Sequence, residues 1–77
     1  MKKAIVWSKY YCPYCDQAKA LLLQRGYHIE ERKIGDGYTR EELLEAIPAA
    51  RTVPQIFLDE EYIGGFAELK QHFSKAA

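Results

Sequence analysis

Cysteine is scarce in this chain of 77 residues: there are two, separated by two residues as Cys12-Pro13-Tyr14-Cys15. That scarcity excludes a disulfide-stapled scaffold. A bridge within so short a loop removes little entropy from the unfolded chain, so stapling does not account for the pair. An excess of either charge is also missing, since eleven Lys and Arg balance eleven Asp and Glu. No long-range field therefore recruits nucleic acid or an anionic membrane surface. Long apolar runs are absent too. The longest, Ala4 to Trp7 and Ala20 to Leu23, fall far short of the ~18 residues that mark a membrane span. After Met1-Lys2-Lys3 the apolar run breaks at Ser8 and Lys9, with no Ala-x-Ala-like site, so no secretory leader is expected. A cytoplasmic setting follows as an expectation, and in a reducing cytosol a Cys-x-x-Cys pair reads as redox-active or metal-binding.

Histidine is equally sparse, and this weighs against metal. Cys12, Cys15 and His28 match the opening of a zinc finger, but the other histidine is His72, at the far end of the chain. The ββα order of a finger is missing as well. No metal site is expected. The length suits one domain, residues 1–77, which buries roughly 60 to 65% of its unfolded surface.

What is present organises simply. Ala4-Ile5-Val6-Trp7 is β-branched and aromatic, as in a buried strand. Pro13 suits a first helical position, and Cys15, Ala18, Leu21, Leu22 and Arg25 share a face up to Gly26, which predicts a helix from Pro13 to about Arg25. Tyr27 to Ile34 predicts a second strand. Thr39-Arg40-Glu41-Glu42 is a capping box opening a helix with Leu43, Leu44 and Ile47 inward and Pro48 as the stop. Val53 to Leu58, the turn Asp59-Glu60-Glu61 and Tyr62-Ile63 predict a β-hairpin, and Phe66 to Ala76 a closing helix on Leu69 and His72 or Phe73. The order β-α-β-α-β-β-α makes this an α/β chain: a parallel pair joined by a crossover helix, with the hairpin added antiparallel to the same sheet. That is a thioredoxin-like fold with a four-stranded mixed sheet flanked by three helices.

The two cysteines are not equivalent by position. Cys12 stands where a helix N-cap residue would, near unpaired N–H groups and the positive end of the helix dipole, which favours its thiolate. Lys9, three residues upstream, adds positive charge. Cys12 is therefore expected to attack. Cys15, one turn on and on the apolar face, is expected to stay protonated until it resolves a mixed disulfide.

Three motifs together resemble the glutaredoxins, glutathione-dependent dithiol oxidoreductases: Lys9 ahead of Cys12-Pro13-Tyr14-Cys15, then Thr52-Val53-Pro54, then Gly64-Gly65. The likeness covers nearly the whole chain, and Tyr14 between the cysteines favours this family over thioredoxins. It implies that Pro54 is a cis-proline and that Val53 offers its backbone to the cysteinyl part of glutathione as a short β-pair. It implies that Lys9, with Arg51 beside Thr52, meets a glutathione carboxylate. Gly64 and Gly65 open a helix whose N–H groups are implied to hold the γ-glutamyl carboxylate. Tyr14, Thr52, Phe66 and Ala67 complete the implied glutathione surface. Family members place Ser, Thr or Asp and then Asp where this chain has Ala67-Glu68, which removes one side-chain hydrogen bond.

The resemblance further implies glutathione as co-substrate with no tightly bound cofactor, and a monomer acting on glutathionylated or disulfide-bearing proteins. Ribonucleotide reductase is among the implied clients. Two alternatives stay open: a thioredoxin-like donor fed by thioredoxin reductase, and a glutathione-ligated iron-sulfur carrier. Pro13 and the second cysteine count against the carrier, since related carriers typically have Cys-Gly-Phe-Ser.

Overall fold

The structure is a computed structural model and describes residues 2–75. Its elements follow the expected order: β1 (Lys3–Lys9), α1 (Pro13–Gln24), β2 (His28–Ile34), α2 (Arg40–Ala46), β3 (Gln55–Leu58), β4 (Glu61–Gly64) and α3 (Phe66–Lys75). The strands form one four-stranded sheet in the order β2-β1-β3-β4. β1 and β2 run parallel, and the other two neighbouring pairs are antiparallel. A parallel pair needs a crossover, which α1 supplies.

The alternation of side chains along β1 divides the core in two. Ala4 and Val6 face Ala18 and Leu22 of α1 and Leu69 and Phe73 of α3, with Ile56 and Leu58 beside them. Trp7 points the other way, into a second cluster with Leu43, Ile47 and Ala50. Tyr38 meets the Trp7 ring edge-on at 5.6 Å and the Arg32 guanidinium lies 5.3 Å from its centre. β1 is thus covered on both faces, and its end, where the cysteines follow, is held rigidly. Among the described residues no helix is long and apolar enough to cross a membrane.

Several boundaries differ from expectation, each for a local reason. β3 begins at Gln55, not Val53, because Pro54 has no N–H to give a ladder. β4 begins at Glu61 because the turn needs only Asp59 and Glu60, both left-handed at φ 47° and 73°, which is the two-residue hairpin geometry that matches strand twist. Asp59 is anchored to β1: its Oδ1 accepts the Lys3 N–H at 3.0 Å and its own N–H donates to the Lys3 carbonyl at 2.9 Å. α1 ends at Gln24 with Arg25 as its cap, and Arg25 is exposed over the Phe73 ring instead of facing inward. Tyr27 precedes β2, and Phe73 rather than His72 fills the core position on α3. Ala76, the expected last residue of α3, lies outside the described residues.

One polar link crosses this core. Ser8, fully buried, donates to Glu31 Oε2 at 2.6 Å, and Lys19 of α1 donates to the same oxygen at 2.8 Å. Burial pushes the Glu31 carboxyl up, but the Lys19 ammonium and Ser8 hydroxyl outweigh it and hold the group below its usual range. A carboxyl depressed in the folded state adds stability above its unfolded pKa of ~4.3, and that stability is lost as pH falls through the folded value. Glu31→Gln is therefore expected to lower unfolding stability by about 1 kcal/mol at pH 7. The difference from the parent should shrink by about pH 3.5. Urea denaturation at the two pH values checks this, and a gap that stays constant would refute the assignment.

Candidate active site

The turn from β1 into α1 places the cysteines. Cys12 is the N-cap of α1 in extended conformation, and its Sγ accepts the Cys15 N–H at 3.2 Å. An N-cap normally uses a side-chain oxygen for this task. Here sulfur does it, so a backbone donor points at the atom that must carry charge as a thiolate. Pro13 follows at the first helical position, where its missing N–H costs nothing. Cys12 and Cys15 are joined as a disulfide. Both are buried, Cys12 at 8% exposure and Cys15 at 1%, so the first is the nearer of the two to the surface.

The second wall is the segment before β3. The Val53-Pro54 peptide is cis, and the Val53 carbonyl oxygen lies 3.9 Å from Cys12 Sγ. Gln55 braces this segment from beneath: it is 7% exposed, its Nε2 donates to the Thr52 carbonyl at 2.8 Å, and its Oε1 accepts the Tyr62 hydroxyl. Sequence reading passed over Gln55. Its signal was a lone amide at the head of an otherwise apolar strand, a residue that burial tolerates only with partners.

Two recesses flank Thr52 and Val53. The larger, about 400 Å³, is lined by Tyr14, Pro54, Gly65, Phe66, Ala67, Glu68 and Lys70 together with Thr52 and Val53. Tyr14 leans on Phe66 at 6.0 Å, forming an aromatic wall beside the cysteines. The smaller, about 110 Å³, has an apolar floor of Ile34, Leu43, Leu44 and Ala50 and three cations, Lys9, Arg40 and Arg51. Lys9 and Arg51 were expected here. Arg40 was missed, although it carries a signal: it is the first residue of α2, where the helix dipole disfavours a cation.

Gly64 and Gly65 sit where the sequence put them, at the entry to α3, with Gly64 at φ 120°. The Gly65 N–H, however, is already bonded to Glu68 Oε1 at 2.8 Å. Of the other aromatics, Tyr10 is half exposed beneath the Lys33 ammonium, and Tyr11, at φ 55°, stands in solvent next to Cys12. His28 pairs with Lys3 at the start of β1, roughly 20 Å along the strand from the cysteines, which rules out a shared metal ion.

Two bonded sulfurs, one at the helix cap beside a backbone donor and the other buried within the helix's first turn, exchange electrons in pairs by forming and opening their disulfide. On a thioredoxin-like sheet this defines a thiol-disulfide oxidoreductase. Comparisons with known proteins narrow the class. A family model described as Glutaredoxin matches residues 4–63. Glutaredoxin 3 of Escherichia coli is 41% identical over 70 residues, spanning 90% of this chain and 83% of that protein. The crystal structure of glutaredoxin 1 from Francisella tularensis, complexed with cacodylate, aligns at TM-score 0.82 and 32% identity, covering 99% of this chain and 96% of that one. The structure of a buckwheat glutaredoxin-glutathione complex aligns at TM-score 0.82 and 26% identity, covering 97% and 71%. This chain belongs to the glutaredoxin family.

Proposed function

We propose that the chain is a glutathione-dependent oxidoreductase that reduces glutathione mixed disulfides and protein disulfides through the Cys12/Cys15 dithiol. The observation that carries this reading is the Val53 backbone beside the Cys12 sulfur, with a recess on either side of it. A γ-glutamyl-cysteinyl-glycine tripeptide has the same layout: a central thiol, a peptide backbone to pair, and a carboxylate at each end. Val53 would pair with its cysteinyl residue, and Lys9, Arg40 and Arg51 would take one terminal carboxylate. Tyr14, Phe66 and Ala67 would line the path to the other end, at Gly64 and Gly65.

The steps balance without an added cofactor. The Cys12 thiolate attacks the glutathionyl sulfur of a mixed disulfide, forming a Cys12-glutathione disulfide and releasing the client thiolate. A second glutathione thiolate then regenerates Cys12 and leaves as glutathione disulfide. Alternatively the Cys15 thiolate attacks Cys12, expels glutathione and forms the intramolecular disulfide, which two glutathione molecules reduce. Clients are glutathionylated and disulfide-bearing proteins in the cytoplasm. Ribonucleotide reductase belongs among them on family resemblance alone.

A coupled assay tests the electron source. Disulfide reduction is expected with glutathione, glutathione reductase and NADPH, and not when thioredoxin reductase replaces the first two. Turnover only with thioredoxin reductase would overturn the proposal.

A further inference from the structure

Three residues other than glycine hold a positive φ among those described, and two of them, Asp59 and Glu60, are the polar tip of the β-hairpin. The third is Tyr11, at φ 55°. A bulky side chain in the left-handed region costs stability that a glycine would avoid. The ring recovers nothing inside the fold, because Tyr11 is 99% exposed. Its neighbour Tyr10 does serve the fold. That ring lies against Gly35, where a Cβ would stand 3.7 Å from Cε2, and beneath the Lys33 ammonium at 4.7 Å. The two tyrosine rings are 6.5 Å apart and tilted by 48°, too loosely placed for Tyr10 to cover Tyr11.

Tyr11 is bonded through its peptide to Cys12, yet it lines neither recess beside Val53. A ligand confined to those recesses leaves it bare. Cys12 is itself buried at 8% exposure, so a polypeptide disulfide that reaches its sulfur must lay its own flanking residues over those around Cys12. Tyr14, the other exposed aromatic beside the cysteines, already leans on Phe66. Tyr11 stands free. Tyrosine suits such a contact, since it offers a broad apolar face and loses little side-chain entropy when it is covered.

We propose that Tyr11 is a specificity-determining residue for polypeptide disulfides, its ring packing against an apolar or aromatic side chain next to the client's cysteine. Small disulfides with no residue at that place gain nothing from it. The inference rests on Cys12 as the attacking sulfur and not on glutathione as the electron source. In the step concerned, the Cys12 thiolate attacks one client sulfur and displaces the other as a thiolate. Cys15 then gives its proton to solvent, attacks Cys12 and releases the first client sulfur, so the client gains the two electrons that the dithiol loses.

The test is single-turnover oxidation of the reduced full chain, quenched with acid and read by chromatography, with three disulfides in turn. Two are disulfide-linked dimers of blocked peptides, alike except for Phe or Ala on either side of the cysteine, and the third is bis(2-hydroxyethyl) disulfide. Tyr11→Asn removes the ring but keeps a residue that tolerates the left-handed region, and Tyr11→Phe keeps the ring. The asparagine variant should react about threefold to tenfold more slowly with the Phe peptide, less than about twofold more slowly with the Ala peptide, and at the parent's rate with the small disulfide. Its melting temperature should equal or exceed the parent's, which separates a lost contact from a lost fold. The phenylalanine variant should match the parent on all three. Equal slowing on all three substrates would mean that Tyr11 acts by placing Cys12, and no slowing on the Phe peptide would mean that it touches no client; either overturns the proposal. A phenylalanine variant as slow as the asparagine variant would overturn it too. So would sedimentation showing a parent that dimerises while the asparagine variant stays monomeric, since Tyr11 would then be a contact between copies. If the parent reduces none of the three, the Cys12 reading itself fails, and this inference falls with it.

Discussion

Cys12→Ser will lower thiol-disulfide exchange by at least roughly a thousandfold, to the uncatalysed level, with every substrate, because a serine hydroxyl is not ionised at neutral pH and cannot form a mixed disulfide. Cys15→Ser will behave differently. Cys12 stands at the cap of α1, at 8% exposure, whereas Cys15, inside the helix, is sealed at 1%. The glutathione route needs only the outer sulfur, so reduction of a glutathione mixed disulfide should stay within about threefold of the parent. Reduction of a protein disulfide by the dithiol route, which ends in the Cys12-Cys15 bond, should fall by at least about a hundredfold. Initial rates on the two substrate types, with circular dichroism as a check that a buried hydroxyl has not disturbed the fold, measure both effects. Equal losses in the two variants would show that the cysteines do not divide the work.

Removing charge from the smaller recess should raise the KM for glutathione. Lys9, Arg40 and Arg51 converge there over an apolar floor, and a cation bound to a carboxylate makes a stronger bond than a neutral donor. All three are exposed, so solvent screening limits each. Lys9→Ala and Arg40→Ala are each expected to raise KM by about threefold to tenfold, and the double variant by roughly 30-fold, with smaller changes in kcat. The parent should weaken as NaCl is raised from about 50 to 500 mM, and the double variant much less. Arg40→Ala carries its own control for folding. It removes a cation from the start of α2, so helix stability should hold or rise and cannot account for lost binding. A double variant with the parent's KM would remove the recess from the glutathione site.

Much of this was legible in the chain because the signals were local. Apolar period, Pro13 after Cys12, and the Thr39 and Glu42 capping box each act within a turn or two, and they give the element order directly. The separate positions of Cys12 and Cys15 follow from helical spacing for the same reason. What escaped were contacts made across the sheet. Nothing near Arg40 in sequence places it beside Lys9, because the register of β1 with β2, Lys9 opposite Ile34, and the return of α2 over the second core bring them together. Gln55 was read as strand, since its partners Thr52 and Tyr62 become visible only once the hairpin has formed. Ala67-Glu68 read as a lost hydrogen bond. The tertiary structure adds a carboxylate seated on the Gly65 N–H.

By itself, then, the amino-acid sequence determined the class of fold, the redox pair and the unequal positions of its two sulfurs, all consequences of short-range periodicity, capping and helix polarity. Only the tertiary structure decided what stands around Cys12: the Val53 carbonyl, the three-cation recess and the self-capped head of α3. Those depend on strands pairing across long stretches of chain, and no local propensity specifies which distant residues such pairing brings together.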